Sequence, residues 1–197
     1  MSLIKSALEI ALEKSQDLKI DKEELRRKDL YKSARTLGGQ ALTESEGSEK
    51  LKSTLKEKKA SLSKEDYQLL KEGVLESLLN PVSLSMNAED PTELDRLFAS
   101  LAHLCSGNNS VLRSSLEQVL KQFQAELLQL RDAIESQLGP KLRQRAEQLA
   151  MQTGQRVNYA PERDPDFIRI YNQHVEQLKE HYQQSLDQIK SQIKDSL

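Results

Sequence analysis

The chain has 197 residues, of which 37% are apolar, 30% charged and 4% aromatic, and it contains no tryptophan. A formal net charge of −2 offers no global attraction to nucleic acid or to a membrane surface. A single cysteine, Cys105, excludes an intrachain disulfide framework. No stretch approaches the ~20 apolar residues of a membrane span, and few aromatics beside abundant Leu, Lys, Glu and Gln predict an all-α chain of long helices with narrow apolar stripes.

In chain order, residues 2–18 read as a first helix, with Ile4, Leu8, Ala11, Ser15 and Leu18 on a narrow face. Glu9 and Glu13 interrupt the apolar core that a secretory signal needs, so the expectation is a soluble cytoplasmic protein. Asp21 is positioned to cap a second helix whose weaker face carries Leu25, Leu30, Ala34, Leu37 and Ala41. Gly38-Gly39 is expected to weaken or end that helix, since two glycines cost about 2 kcal/mol relative to alanine. Residues 43–50, TESEGSEK, read as polar and mobile. The Lys-rich segment after them has only Leu51, Leu55 and Leu62 as large apolar residues and is helical only if it docks. Ser63 to Asp66 (SKED) is a capping box that opens a helix running to Asn80-Pro81.

Residues 80–90 read as a linker. Lysine gives way to glutamine across them, and net charge changes from +1 before residue 81 to −3 from there on. The division predicted is therefore a charged helical region over 1–79, the linker, and a helical region over 91–197. Asp90-Pro91-Thr92-Glu93 combines N-cap, first-turn proline and N3 glutamate. It starts a helix expected to bury Leu94, Leu97, Phe98, Leu101 and Leu104 and to end at Gly107. The next helix carries rows eleven residues apart: Leu116, Leu127, Leu138 and Leu149; Leu112, Phe123 and Ile134; Val119 and Leu130. These stay in phase across Gly139-Pro140, which predicts a kinked helix continuing to about Thr153. Asp164-Pro165 opens the last helix, with rows Phe167, Leu178, Ile189; Tyr171, Tyr182, Ile193; and Val175, Leu186, Leu197. The expected architecture is an elongated helical bundle with a long antiparallel hairpin, 110–153 against 165–197, in its C-terminal half. Three repeats of eleven fit a bundle face and also a right-handed coiled coil, and both readings stay open.

No phosphate loop, serine elbow or CxxC pair is present, so no catalytic, cofactor or metal residue is nominated. His103 and Cys105 point to different helix faces. His174 and His181 share one, where a contact between chains could be pH-responsive or zinc-bridged. They also fit as flank positions of the apolar stripe. Arg26, Arg27, Lys28, Lys32 and Arg35 form one basic strip and Lys50, Lys52, Lys56, Lys58 and Lys59 another. A phosphate-bearing partner could use them, but acidic residues interleave both and no aromatics alternate with the charges. The connection 155–163 gathers Arg156, Asn158, Tyr159 and Arg163, the side-chain types of interaction hot spots, at the hairpin tip.

The opening LIKSALEIALEK, with the charged helix after it, resembles an uncharacterised bacterial family of small all-helical proteins, a domain of unknown function. The resemblance rests on the first forty residues and implies a bacterial, cytoplasmic protein with no assigned activity. In style the Gln-, Lys- and Glu-rich helices also look like the peripheral-stalk subunits E of rotary ATPases. Those end in a mixed α/β domain, whereas this sequence carries no strand signal after residue 154. The functional expectation is a non-enzymatic interaction or scaffold protein that self-associates, or binds a protein partner, through long amphipathic helices. The alternatives are a nucleic-acid-associated helical protein using the basic strips and a stalk-like subunit of a larger complex.

Overall fold

The computed structural model describes residues 7–154 and 163–197, with side chains from Lys22 onward. Among the described residues there are six helices and no strand: α1 (Ala7–Thr43), α2 (Gly47–Ser61), α3 (Lys64–Leu79), α4 (Pro91–Leu101), α5 (Asn109–Thr153) and α6 (Pro165–Asp195). The fold is all-α. The chain divides into two compact units. One holds the described residues up to Val82 with Thr92–Asn109 and Lys194–Leu197; the other holds Ser83–Pro91 and the described part of Ser110–Ile193.

In the first unit, partners on α1 and α3 keep a nearly constant spacing of about 40 residues. Arg26 Nη2 donates to Asp66 Oδ2, and Ser77 Oγ donates to the Arg35 carbonyl at 2.7 Å. A Cβ on Gly73 would lie 2.8 Å from Ala34 Cβ, and one on Gly38 would lie 2.7 Å from Ser77 Cβ. A constant offset means that the two helices run parallel. Helix α2 makes the return stroke between them and docks by burying Leu51 and Leu55, the condition its sparse apolar content requires. Ser63 caps α3 as expected, its Oγ accepting from Asp66 N at 3.1 Å and donating to Asp66 Oδ2 at 2.9 Å. Helix α4 buries Leu94, Leu97, Phe98 and Leu101, and Arg96 Nη1 donates to the Leu42 carbonyl at 3.2 Å.

Three expectations for this region are corrected. The helices read over 2–18 and from Asp21 are one helix, α1: an interior aspartate costs under about 0.7 kcal/mol, less than closing one helix and nucleating another. That helix also runs through Gly38-Gly39, because Gly38 is where the α3 backbone approaches, 2.8 Å from a would-be Cβ to the Val74 carbonyl. The segment 43–50 is polar but not loose throughout, since α2 already starts at Gly47. A Cβ there would collide with the Gln40 carbonyl.

The second unit contains the hairpin of α5 and α6. Tyr182 OH donates to Glu126 Oε1 at 2.7 Å, the Phe123 and Tyr182 rings lie 5.5 Å apart, and Arg145 Nη1 reaches Asp166 Oδ2 at 3.3 Å. Positions rise on one helix as they fall on the other, so the pair is antiparallel. Its buried residues are Leu116, Leu120, Phe123, Ile134 and Leu142 on α5, and Phe167, Val175, Tyr182, Leu186, Ile189 and Ile193 on α6. Helix α5 continues across Pro140. Ile134, Leu142 and Phe167 form one cluster spanning that point, with Leu130, Leu138, Ile170 and Tyr171 against it. Asp164 Oδ1 accepts from Asp166 N at 2.9 Å and from Phe167 N at 3.3 Å, the expected cap of α6.

The units do not follow the sequence boundary. Residues 92–109 group with the N-terminal helices rather than with the hairpin. The stretch 80–90 is not free chain: Val82, Leu84, Met86 and Ala88 are buried in alternation, and Gln124 Nε2 donates to the Met86 carbonyl at 2.8 Å.

Candidate functional site

Of the residues picked out at the hairpin tip, Arg156, Asn158 and Tyr159 lie outside the described residues, and Arg163 is exposed just before the α6 cap. His103 is half-buried and Cys105 is buried. Among the described residues no three His, Cys, Asp or Glu side chains are grouped so that they could hold a metal ion, and no helix is long and apolar enough to cross a membrane.

In the first unit an open groove of about 780 Å³ lies between α1 and α3. Parallel packing creates it, by setting the first basic strip beside the start of α3. Glu24, Arg27, Lys28, Tyr31, Lys32 and Arg35 line one side, and Lys64, Glu65, Asp66, Gln68, Leu69 and Glu72 the other. Within it, charges sort into pairs. Lys28 Nζ lies 2.7 Å from Glu24 Oε1, and this hydrogen bond, reinforced by the ammonium charge, lowers the Glu24 pKa. Arg27 Nη2 lies 3.6 Å from Glu65 Oε2. Asp66, buried to 5% exposure, is held by Arg26 and by Ser63. Glu72 accepts from Gln68 Nε2 at 3.1 Å, and Lys32, Arg35 and Lys64 have no carboxylate partner among the described residues, so three unpaired cations face one carboxylate without a cation in the lining.

The strip Arg26 to Arg35 was visible in the sequence. The contribution of Tyr31, Lys64 and Leu69 was not, because it depends on two helices meeting forty residues apart. Small residues at matching positions, Ala34 and Gly38 on α1 against Gly73 and Ser77 on α3, were the signal that could have found it. The second strip is a paired, solvated face in part: Lys50 lies 2.6 Å from Glu44 Oε2, a hydrogen bond that raises the Lys50 pKa, and Lys52 lies 3.2 Å from Glu49 Oε2.

In the second unit a shallower groove runs between α5 and α6, lined by Glu126, Gln129, Leu130 and Ala133 against His174, Gln177, Leu178 and His181. The two histidines thus face α5 across the hairpin, and Glu126 is the only carboxylate there. Beside it, burial first and the Glu126 hydrogen bond second push the Tyr182 phenol up to about 12. The lining is nearly uncharged, in a chain where almost a third of residues carry charge.

A family described as a family of unknown function, DUF6657, matches the chain over residues 55–195. The match takes in the helices from α3 to α6 and lies beyond the opening stretch that carried the sequence resemblance. No curated protein and no solved structure matches the chain.

Proposed function

We propose that this chain, which belongs to that family of unknown function, is a non-enzymatic helical interaction protein that self-associates through its long helices. The observation that carries the reading is the unfinished apolar stripe of the α5–α6 hairpin. Leu127, Leu130, Leu138 and Leu178 are only half-buried, and Leu128, Leu149 and Ile168 are exposed. Two helices cannot enclose a stripe of that width, and charge-poor apolar surface of this kind is what the centre of a protein–protein interface is made of. The reading includes a cytoplasmic location, supported by the use of a single cysteine.

The test is sedimentation over a concentration series at low and high salt. Mass rising above the 22.4 kDa of one chain, and persisting in high salt, is the expected result, because apolar contacts are not screened. One chain's mass at every concentration would end the proposal. Retention on DNA or RNA that fades with salt would favour the nucleic-acid reading instead.

A further inference from the structure

We infer that the groove between α1 and α3 is a binding site for a small phosphate-bearing ligand that also carries an aromatic or apolar group, the chemical class to which nucleotides belong. The inference is independent of self-association and concerns the other unit. It rests on three features of the groove taken together.

The first is charge. The carboxylates of Glu24, Glu65 and Asp66 are paired with Lys28, Arg27 and Arg26 respectively, and the fourth, Glu72, accepts from Gln68 Nε2 at 3.1 Å. That leaves Lys32, Arg35 and Lys64, contributed by both walls, as cations with no carboxylate partner among the described residues. A single exposed ion pair contributes little, but Lys32 and Arg35, one turn apart on α1, can both donate charge-assisted hydrogen bonds to one phosphate, with Lys64 further along the groove at the start of α3. The second is the wall between them. Tyr31 and Leu69 are half-buried and give the groove an apolar flank. The absent side chain of Gly73 lets the Tyr31 ring sit tight against α3, 3.0 Å from where a Cβ would be, so the ring is held rather than free. The third is size. A volume of about 780 Å³ falls within the range of small-molecule pockets. Tyr31 is the only aromatic lining the groove, whereas a single-stranded nucleic acid needs a succession of stacking platforms. A compact ligand fits this surface better than a polymer.

The experiment is calorimetric titration of the full chain at low salt with ATP, tripolyphosphate and adenosine as probes. Saturable ATP binding is expected. Arg35→Gln and Lys64→Gln should each weaken it about three- to tenfold, while Lys121→Gln, exposed on α5, leaves it unchanged. Tyr31→Leu should weaken ATP and spare tripolyphosphate. Leu69→Ala serves as a second flank variant, and thermal unfolding of each variant checks that the fold persists. Absence of saturable binding by both ATP and tripolyphosphate overturns the inference. So does equal weakening by Lys121→Gln, which would mean diffuse attraction. Tripolyphosphate binding as tightly as ATP with Tyr31→Leu and Leu69→Ala both harmless removes the apolar half. Tighter binding of a short single-stranded RNA than of ATP rejects the small ligand.

Discussion

Where α1 meets α3, the seam is made of absent side chains: Ala34 and Gly38 on one helix, Gly73 and Ser77 on the other, with would-be Cβ atoms under 3 Å from their neighbours. Where α5 meets α6, it is made of large ones, Leu116, Leu120 and Phe123 with Tyr182, Leu186 and Ile189, all buried. Both devices join long helices that are polar over most of their surface. The first brings backbones close and needs few big apolar residues; the second keeps the backbones apart and fills the gap. The two seams therefore fail in opposite ways. The first is intolerant of added atoms, the second of removed ones.

That contrast can be broken at its strongest point with Leu186→Ala, which empties a fully buried position. It should lower stability by about 3 kcal/mol in chemical denaturation, and a loss under 1 kcal/mol would mean the hairpin seam is not packed as described. Gly38→Ala is the counterpart in the other seam. Its Cβ meets Ser77 Cβ and the Val74 carbonyl, and overpacking should cost about 1–3 kcal/mol despite the better helix propensity of alanine. The adjacent Gly39→Ala sharpens the point, since its Cβ would find only Ser77 Oγ, at 3.9 Å. It should gain up to about 1 kcal/mol, so two neighbouring glycines respond with opposite sign. If both stabilise, the close-approach account of α1 and α3 is wrong.

Tyr182→Phe probes a polar link in the hairpin seam, the hydrogen bond to Glu126, and should cost about 1 kcal/mol at neutral pH. The folded phenol is pushed to about 12, above the ordinary value near 10. Its contribution is therefore fully present below pH 10 and is lost as pH rises to 12. Denaturation followed between those limits should show a steeper fall for the native chain than for the phenylalanine variant. The smallest effect expected is that of Leu128→Ala, at 63% exposure: within about 0.5 kcal/mol on folding, although it removes part of the surface proposed for self-association.

The hairpin was legible because its signals are local. Asp164-Pro165 announces the cap of α6, and the spacing from Phe167 to Ile193 repeats on one helix face. The three-helix arrangement of α1, α2 and α3 was not, because its information lies in pairs forty residues apart. Gly38-Gly39 looks like a helix stop when only propensity is weighed; it is a contact surface once Ser77 is known to be opposite. The same holds for the α1–α3 groove: its four cations on α1, Arg27, Lys28, Lys32 and Arg35, belong to one strip legible in the sequence, but the opposing wall of Lys64 and Leu69 comes only from the packing. Of the tip residues, Arg163 alone falls among those described.

The parallel course of α1 and α3 has a kinetic consequence. Their links, such as Arg26 to Asp66 and Ser77 to Arg35, span 40 and 42 residues, so every one of them requires nearly the same chain closure. In the hairpin the span grows from 21 residues at Arg145–Asp166 to 56 at Glu126–Tyr182, so each new link shortens the loop left to close for the next. The hairpin can zip from its tip outward, whereas the parallel pair must assemble at once, after α2 has folded back to carry α3 into register.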